Sequence, residues 1–175
     1  QFDPKMKRHH YTPARNVPEP VRGHFKKVID EYVDMEVIIQ DGNCTHVCAT
    51  VIAPKKTPPF IRIAVDFNPI NTDLIIGQAH MPDIREAMGA LRGCQYFSEV
   101  DMLTAFHQLR LSEQTSAMCG INTIFGVYRP LFMWEGVAPA SAVLQNYLMS
   151  VWKDVPYVLQ IHDNFVIGHK VWEGQ

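Results

Sequence analysis

Cysteine is scarce in this chain of 175 residues, which has only Cys44, Cys48, Cys94 and Cys119. Four scattered cysteines exclude a disulfide scaffold and fit a reduced, intracellular setting. Cys44-Thr-His46-Val-Cys48, with His9 and His10 as remote partners, is half of a zinc pattern. The other half is missing and Cys48 falls in a strand-like run, so zinc is not expected. No apolar run approaches the ~20 residues that a membrane-spanning helix requires. The opening stretch, QFDPKMKRHHYTPAR, lacks the apolar core of a signal peptide. A large charge excess is also absent: the formal net charge is −2, with 19% charged and 47% hydrophobic residues. These values describe one ordinary soluble domain, or most of one, with enough apolar material for a sizeable core. A chain that begins at Gln1 rather than Met is expected to be part of a longer product.

The near-neutral total hides an asymmetry. Residues 1–27 carry seven basic groups (Lys5, Lys7, Arg8, Arg15, Arg22, Lys26, Lys27) against Asp3 and Glu19, a net of +5, which leaves −7 for the remainder. A basic arm of this kind binds nucleic acid or an acidic partner, or is a solvated tail. Residues 1–20 are Pro-rich, polar and without a period, and are expected to form an extended arm. Val21, Phe25, Val28, Ile29, Tyr32 and Val33 then recur at helical spacing and predict an amphipathic helix over 19–35. Asp41-Gly42-Asn43 reads as a turn. Strands are expected at 47–53 and 60–67, joined by PKKTPP, and a short helix over 81–91 begins with Pro near its first turn. Further strands are expected at 96–101, 118–123 and 126–132, followed by a helix over 140–152. Strands and helices that mix without strict alternation indicate an α+β fold, an antiparallel sheet packed with helices.

Two short segments carry the chemistry. In YVLQIHDNFVIG, Tyr157 to Gly168, apolar runs flank a polar break and predict a buried β-hairpin with His162, Asp163 and Asn164 at its tip. Taken alone, turn chemistry accounts for the pair, because Asp and Asn are common hairpin residues. The second segment, QYFSEVDMLTAFHQLRL, describes a strand ending on Asp101. Asp101 and Asp163 at two strand ends form a carboxylate pair that adjacent strands would bring together. Such a pair suits Mg²⁺, a hard cation held by a few carboxylates and phosphate oxygens. Two metals held this way activate an attacking oxygen and stabilise a leaving one in phosphoryl transfer.

The order of segments resembles the fingers and palm of reverse transcriptases, most closely those of Gypsy-type long-terminal-repeat retrotransposons. The likeness runs from Tyr11 to Gly168. VIAPKKTPPFIRIAVDFNPIN is similar to the fingers hairpin and its V-D-[YF]-R-x-L-N stretch. YFSEVDMLTAFHQLRL is similar to F-S-x-L-D-L-x-x-G-Y-H-Q-I of the palm, and FGVYRPLFMWEGVAPASAVLQNYL to Y-G-x-Y-x-x-x-x-M-P-F-G-L-x-x-A-P-x-x-F-Q. VLQIHDNFVIG falls where the family has its Y-x-D-D hairpin. With the extended basic arm over 1–20 set apart, the resemblance implies a fingers/palm domain over 21–175. It implies that Asp101 and Asp163 are metal-binding acids with Asn164 beside them. It also implies that Lys55, Lys56 and Arg62 hold a nucleotide triphosphate, Arg as a fork and Lys as a point charge. Phe106 matches the aromatic gate that crowds a nucleotide 2′-hydroxyl.

The departures from the family pattern cluster at this site. Asn164 stands in place of the second hairpin acid, so three carboxylates facing two Mg²⁺ become two. At an effective dielectric near 20, a unit charge ~4 Å from another is worth about 4 kcal/mol, and against a dication about twice that before desolvation. Since about 1.4 kcal/mol is tenfold in rate, even part of that loss is severe. Ile161 replaces the hairpin Tyr, and Ser141 replaces a Pro before the palm helix. Met133-Trp134-Glu135-Gly136 replaces Met-Pro-Phe-Gly, which places the Glu135 carboxylate where the incoming nucleotide would lie. The chain also stops seven residues after Gly168, where the family continues into a primer-gripping hairpin, a thumb and an RNase H domain.

The expectation is therefore a retroelement-derived pseudo-polymerase acting as a structural or interaction component of a larger protein or ribonucleoprotein assembly. Uncovered sheet edges and apolar surface would require a partner. The competing expectations are an active RNA-directed DNA polymerase fragment using Mg²⁺, and a non-catalytic module binding RNA or DNA through the basic arm, Lys55, Lys56 and Arg62.

Overall fold

A computed structural model describes residues 9–74, 85, 88–161 and 163–170. The chain divides into two compact units, one of Gln1–Ile76 with Phe106–Ala140, the other of Gly77–Ala105 with Ser141–Gln175.

In the first unit, helix α1 spans Glu19–Asp34 and starts directly after Pro18, with a second Pro in its first turn. Proline is tolerated there because the first helical N–H groups have no intrahelical partner. Phe25, Val28 and Ile29 are buried on one face of α1, while Val33, expected on that face, is exposed. The opposite face is laced by Arg22–Glu19 and Lys26–Asp30 ion pairs at 2.7 and 2.5 Å, with Lys27–Glu31 at 4.0 Å. The apolar face packs on a five-stranded sheet of β1 (Ile38–Gln40), β2 (Val47–Pro54), β3 (Ile61–Val65), β5 (Gly120–Thr123) and β6 (Gly126–Pro130). Their order is β1-β6-β5-β2-β3. The pairings are antiparallel except β2 with β5, which run parallel, so the sheet is mixed rather than wholly antiparallel. The long excursion between β2 and β5 permits that pairing, since parallel neighbours need a crossover rather than a tight turn.

Strand β3 alternates strictly: Ile61, Ile63 and Val65 are buried, while Arg62 and Ala64 face outward. Two short helices were not legible as such in the sequence, α2 (Asn68–Asn71) and α3 (Glu113–Ala117). Helix α3 is capped by Ser112, whose Oγ accepts from the Thr115 N–H at 3.2 Å, and the turn that ends it at Met118 delays the strand expected from 118 to Gly120. Strand β6 likewise ends at Pro130 rather than at 132.

The second unit holds a three-stranded antiparallel sheet in the order β4-β8-β7, formed by β4 (Tyr96–Asp101), β7 (Val158–Ile161) and β8 (Asn164–His169). Helix α4 (Ala140–Trp152) contributes Trp152, whose ring lies 5.1 Å from that of Phe165, and Gln145, whose Oε1 accepts from Gln160 Nε2 at 3.2 Å. The helix expected over 81–91 lies mostly outside the described residues, and a 3₁₀ turn at Gly89–Leu91 is what is described of it.

Gly120 is required by close approach. A Cβ there would meet Cys44 Cβ at 2.6 Å and the His46 carbonyl oxygen at 2.7 Å. Gly120→Ala is therefore expected to destabilise the chain by about 1–3 kcal/mol, the range for overpacking. Gly42→Ala, with nothing within 4 Å of the added carbon, is expected to stay within about 0.5 kcal/mol of wild type. Denaturant midpoints of the two variants check the contrast.

Candidate functional site

Strand pairing alone assembles the hairpin-tip residues. β4 and β8 pair in six consecutive register steps, from Tyr96↔His169 to Asp101↔Asn164. Strand β7 meets β8 with Ile161↔Asn164 as its last step, and Asp163 sits in the loop that leads into β8. The Met102 N–H donates to the Asp163 carbonyl at 3.3 Å, tying that loop to the end of β4. Asp101, Asp163 and Asn164 are thus brought to one end of one sheet; His162 lies outside the described residues.

Directly opposite residues of an antiparallel pair share a face, with Cβ atoms about 4.5–5.5 Å apart. Asp101 and Asn164 therefore lie side by side. The alternation of side chains along β4 puts Glu99 on the same face, a carboxylate that the motif comparison passed over although period two implies it. Asp101 and Glu99 are exposed, Asp163 and Asn164 half-buried. The Asn164 Oδ1 is buried without a hydrogen-bond partner among the described residues. Along this face runs an apolar groove of about 410 Å³ lined by Met88, Leu91, Phe97, Leu159, Ile161 and Val166, with Arg92 as its one charged side chain.

The donor set fits a pair of Mg²⁺ ions poorly. With Asn164 neutral, Asp101 and Asp163 are the two anionic groups at the tip, Glu99 lying one pleat back on β4, and they offer two dications less negative charge than three carboxylates at the tip would. Among the described residues, no group of three or more His, Cys, Asp or Glu side chains converges in a way that could hold a metal ion.

The residues expected to hold a nucleotide lie in the first unit. Arg62, outward on β3, forms an ion pair with Glu135. Their side chains are 60% and 54% exposed, so the pair adds at most about 1 kcal/mol to stability. What it does change is the charge that Arg62 presents. Beside the pair stands an aromatic group that motif reading did not single out. His107 and Trp134 rings are 4.7 Å apart, Tyr32 and Trp134 5.3 Å, and Tyr32 and His107 5.7 Å. Burial pushes the His107 imidazole below its ordinary pKa and the Tyr32 phenol above its own. Lys55 and Lys56 sit exposed at the tip of the β2–β3 hairpin, without an ion pair among the described residues. Phe106 is half-buried in a 3₁₀ turn over Ala105–Gln108.

The described part of the basic arm is docked rather than free. Thr12 N–H donates to the Val47 carbonyl and Val47 N–H to the His10 carbonyl, both at 2.8 Å. Val17 is buried in the core. Arg15 pairs with Asp66 at 2.6 Å, so all four described basic groups of the first 27 residues (Arg15, Arg22, Lys26, Lys27) have acidic partners within the chain. No described helix is long and apolar enough to cross a membrane.

No protein-family model matches the chain. It is 29% identical over 147 residues to the retrovirus-related Pol polyprotein of transposon opus from Drosophila melanogaster, covering 81% of this chain and 15% of that protein. It is 25% identical over 175 residues to the transposon Tf2-7 polyprotein of Schizosaccharomyces pombe, covering 97% of this chain and 13% of the relative. The chain therefore spans less than a sixth of the length of these polyproteins. Among solved structures, native prototype foamy virus protease–reverse transcriptase superposes with a TM-score of 0.78 at 16% identity, covering 95% of this chain and 24% of that one. The foamy viral enzyme in complex with an RNA/DNA hybrid gives a TM-score of 0.76 at 14% identity, covering 91% and 21%. The chain is homologous to retrotransposon Pol polyproteins and has the α+β fold of a reverse-transcriptase-like region.

Proposed function

We propose that this chain is a Gypsy-type, retroelement-derived reverse-transcriptase-like domain that has lost polymerase catalysis and serves as an intracellular interaction component of a larger assembly. The observation that carries this reading is the step Asp101↔Asn164. It puts a neutral amide where a carboxylate beside Asp101 would contribute most to holding a cation. The Arg62–Glu135 pair supports it independently, because a guanidinium engaged by an internal carboxylate offers little net charge to a triphosphate. The interaction role rests on the β4 edge, where all six residues are exposed, together with exposed Phe97, Val100 and Leu103. An open strand edge beside apolar surface is a template for another chain.

Primer extension with Mg²⁺ or Mn²⁺ tests the loss of catalysis. The wild-type chain is expected to show no more extension than Asp101→Ala. Extension by wild type that Asp101→Ala abolishes would establish instead the active polymerase, with Asp101, Asp163 and Asn164 holding Mg²⁺.

The Arg62–Glu135 pair gives a second expectation. Glu135→Gln should bind inorganic triphosphate at least about tenfold more tightly than wild type, about 1.4 kcal/mol. The double variant Arg62→Ala/Glu135→Gln should lose that gain. Isothermal titration reads both.

A non-catalytic nucleic-acid-binding role is favoured by one observation, the exposed Lys55 and Lys56, which have no ion pair among the described residues; related folds bound to dsDNA and to an RNA/DNA hybrid are known in the foamy viral enzyme. Binding through these two lysines would weaken with salt with a logarithmic slope of about −1.4 on single strands. Fluorescence anisotropy against salt measures the slope, and Lys55→Ala/Lys56→Ala should abolish it.

A further inference from the structure

The N-terminal segment is attached at a cluster of three imidazoles that the polymerase-like site does not use. His46, immediately before β2, is 2% exposed. Its Nδ1 accepts the backbone N–H of His10 at 3.2 Å. That acceptor role requires Nδ1 to be unprotonated. The His9 ring stacks on His46 with centroids 5.9 Å apart, and the His10 ring lies 5.7 Å away. His10 Nε2 lies 2.7 Å from Asp73 Oδ2, and His9 Nδ1 lies 3.3 Å from the Thr45 carbonyl. Around this cluster the chain runs alongside β2 through the Thr12–Val47 and Val47–His10 main-chain bonds. Asn122 Nδ2 adds hydrogen bonds to the Thr12 carbonyl at 3.0 Å and the Tyr11 hydroxyl at 3.3 Å.

We propose that His46 is a proton-operated latch: a proton on its Nδ1 removes the acceptor for the His10 N–H and releases the His9–Thr12 segment from β2. Two physical effects act together. The hydrogen bond is replaced by two opposed N–H groups, and a buried cation is created beside two further imidazoles. A buried donor left facing a donor loses its partner and its hydration at once.

The charged and titratable neighbours agree with this direction. Among the described residues, His9 and His10 from the arm disfavour a cation at His46, while Asp73, beyond α2, favours it. Burial is the largest influence, and together these hold His46 below its ordinary pKa of 6.5. The nearby thiols carry no charge, because burial pushes Cys44 and Cys48 up to about 11 and Cys119 to about 12. The sign follows from the lowered value. Undocked His46 takes up its proton first as pH falls, so the docked arm is fully stabilised above about pH 6.5 and loses that stabilisation toward the docked pKa. The segment so released leads directly to Arg8, Lys7 and Lys5.

Amide hydrogen exchange on the intact chain tests the latch. Between about pH 7.5 and about pH 5.5, protection of the Thr12 and Val47 amides is expected to fall several-fold relative to amides in α1, with about tenfold as the ceiling that one imidazole of ordinary undocked pKa sets. His46→Asn keeps an acceptor near the Nδ1 position but cannot titrate, so its protection ratio should be the same at both pH values. An unchanged ratio in wild type, or an equal fall in His46→Asn, would overturn the proposal. If His46→Asn does not fold, NMR titration of the wild-type His46 ring decides. A pKa at or above the ordinary histidine value sinks the latch, and a lower one coinciding with the loss of Thr12 protection sustains it.

Discussion

The register of β8 against β4 is the constraint on which the hairpin tip depends. Six paired steps hold Asp101 opposite Asn164, and a one-residue slip would send every β8 side chain to the other face of the sheet. The apolar residues of β8 resist that slip, since Phe165 is buried against Trp152 on one face and Val166 lines the groove on the other. The position of the amide beside Asp101 is thus set by packing that has nothing to do with cation binding. The sheet keeps aiming these side chains at one another whether or not their charges suffice for chemistry.

That separation makes the fold independent of the charges at the hairpin tip. The residues that hold the first unit together, such as Phe25, Ile38, Phe67 and Ile121, are apolar and fully enclosed. Truncating one such phenylalanine typically costs about 3–5 kcal/mol. Most residues that depart from the family pattern, among them Glu135, Ser141, Ile161 and Asn164, lie on exposed or half-buried positions, where a change of charge alters stability by about 0.5 kcal/mol; Trp134, buried in the core, is the exception. Glu135 is the clearest case, because its pairing with Arg62 alters the electrostatics of β3 without touching the core. Selection for stability would preserve the first set and be indifferent to the second.

Much of the fold could be read from periodicity. α1, α4, the β2–β3 hairpin and the β7–β8 hairpin stand within one or two residues of expectation, because each has a long apolar period bounded by Pro, Gly or Asp/Asn. The short elements β1, α2 and α3 were missed: three to five residues carry too little period, and only the Ser112 cap announces α3. That Asp101 ends β4 beside the loop carrying Asp163 agrees with the motif order. The Arg62–Glu135 pair did not, because it joins residues 73 positions apart whose meeting is decided by sheet order rather than by local pattern. The docking of the arm was hidden for the same reason: its partners, Val47, Asp66, Asp73 and Asn122, are remote in sequence.

The central claim is that Asp101, Asp163 and Asn164 carry too little negative charge to retain a pair of divalent cations. Counting bound Mn²⁺ by electron paramagnetic resonance at millimolar metal addresses it directly, without a template, a primer or turnover. No stoichiometric ion is predicted on the wild-type chain, and a bound ion is predicted on Asn164→Asp. Two ions held by the wild-type chain and lost in Asp101→Ala would contradict the account.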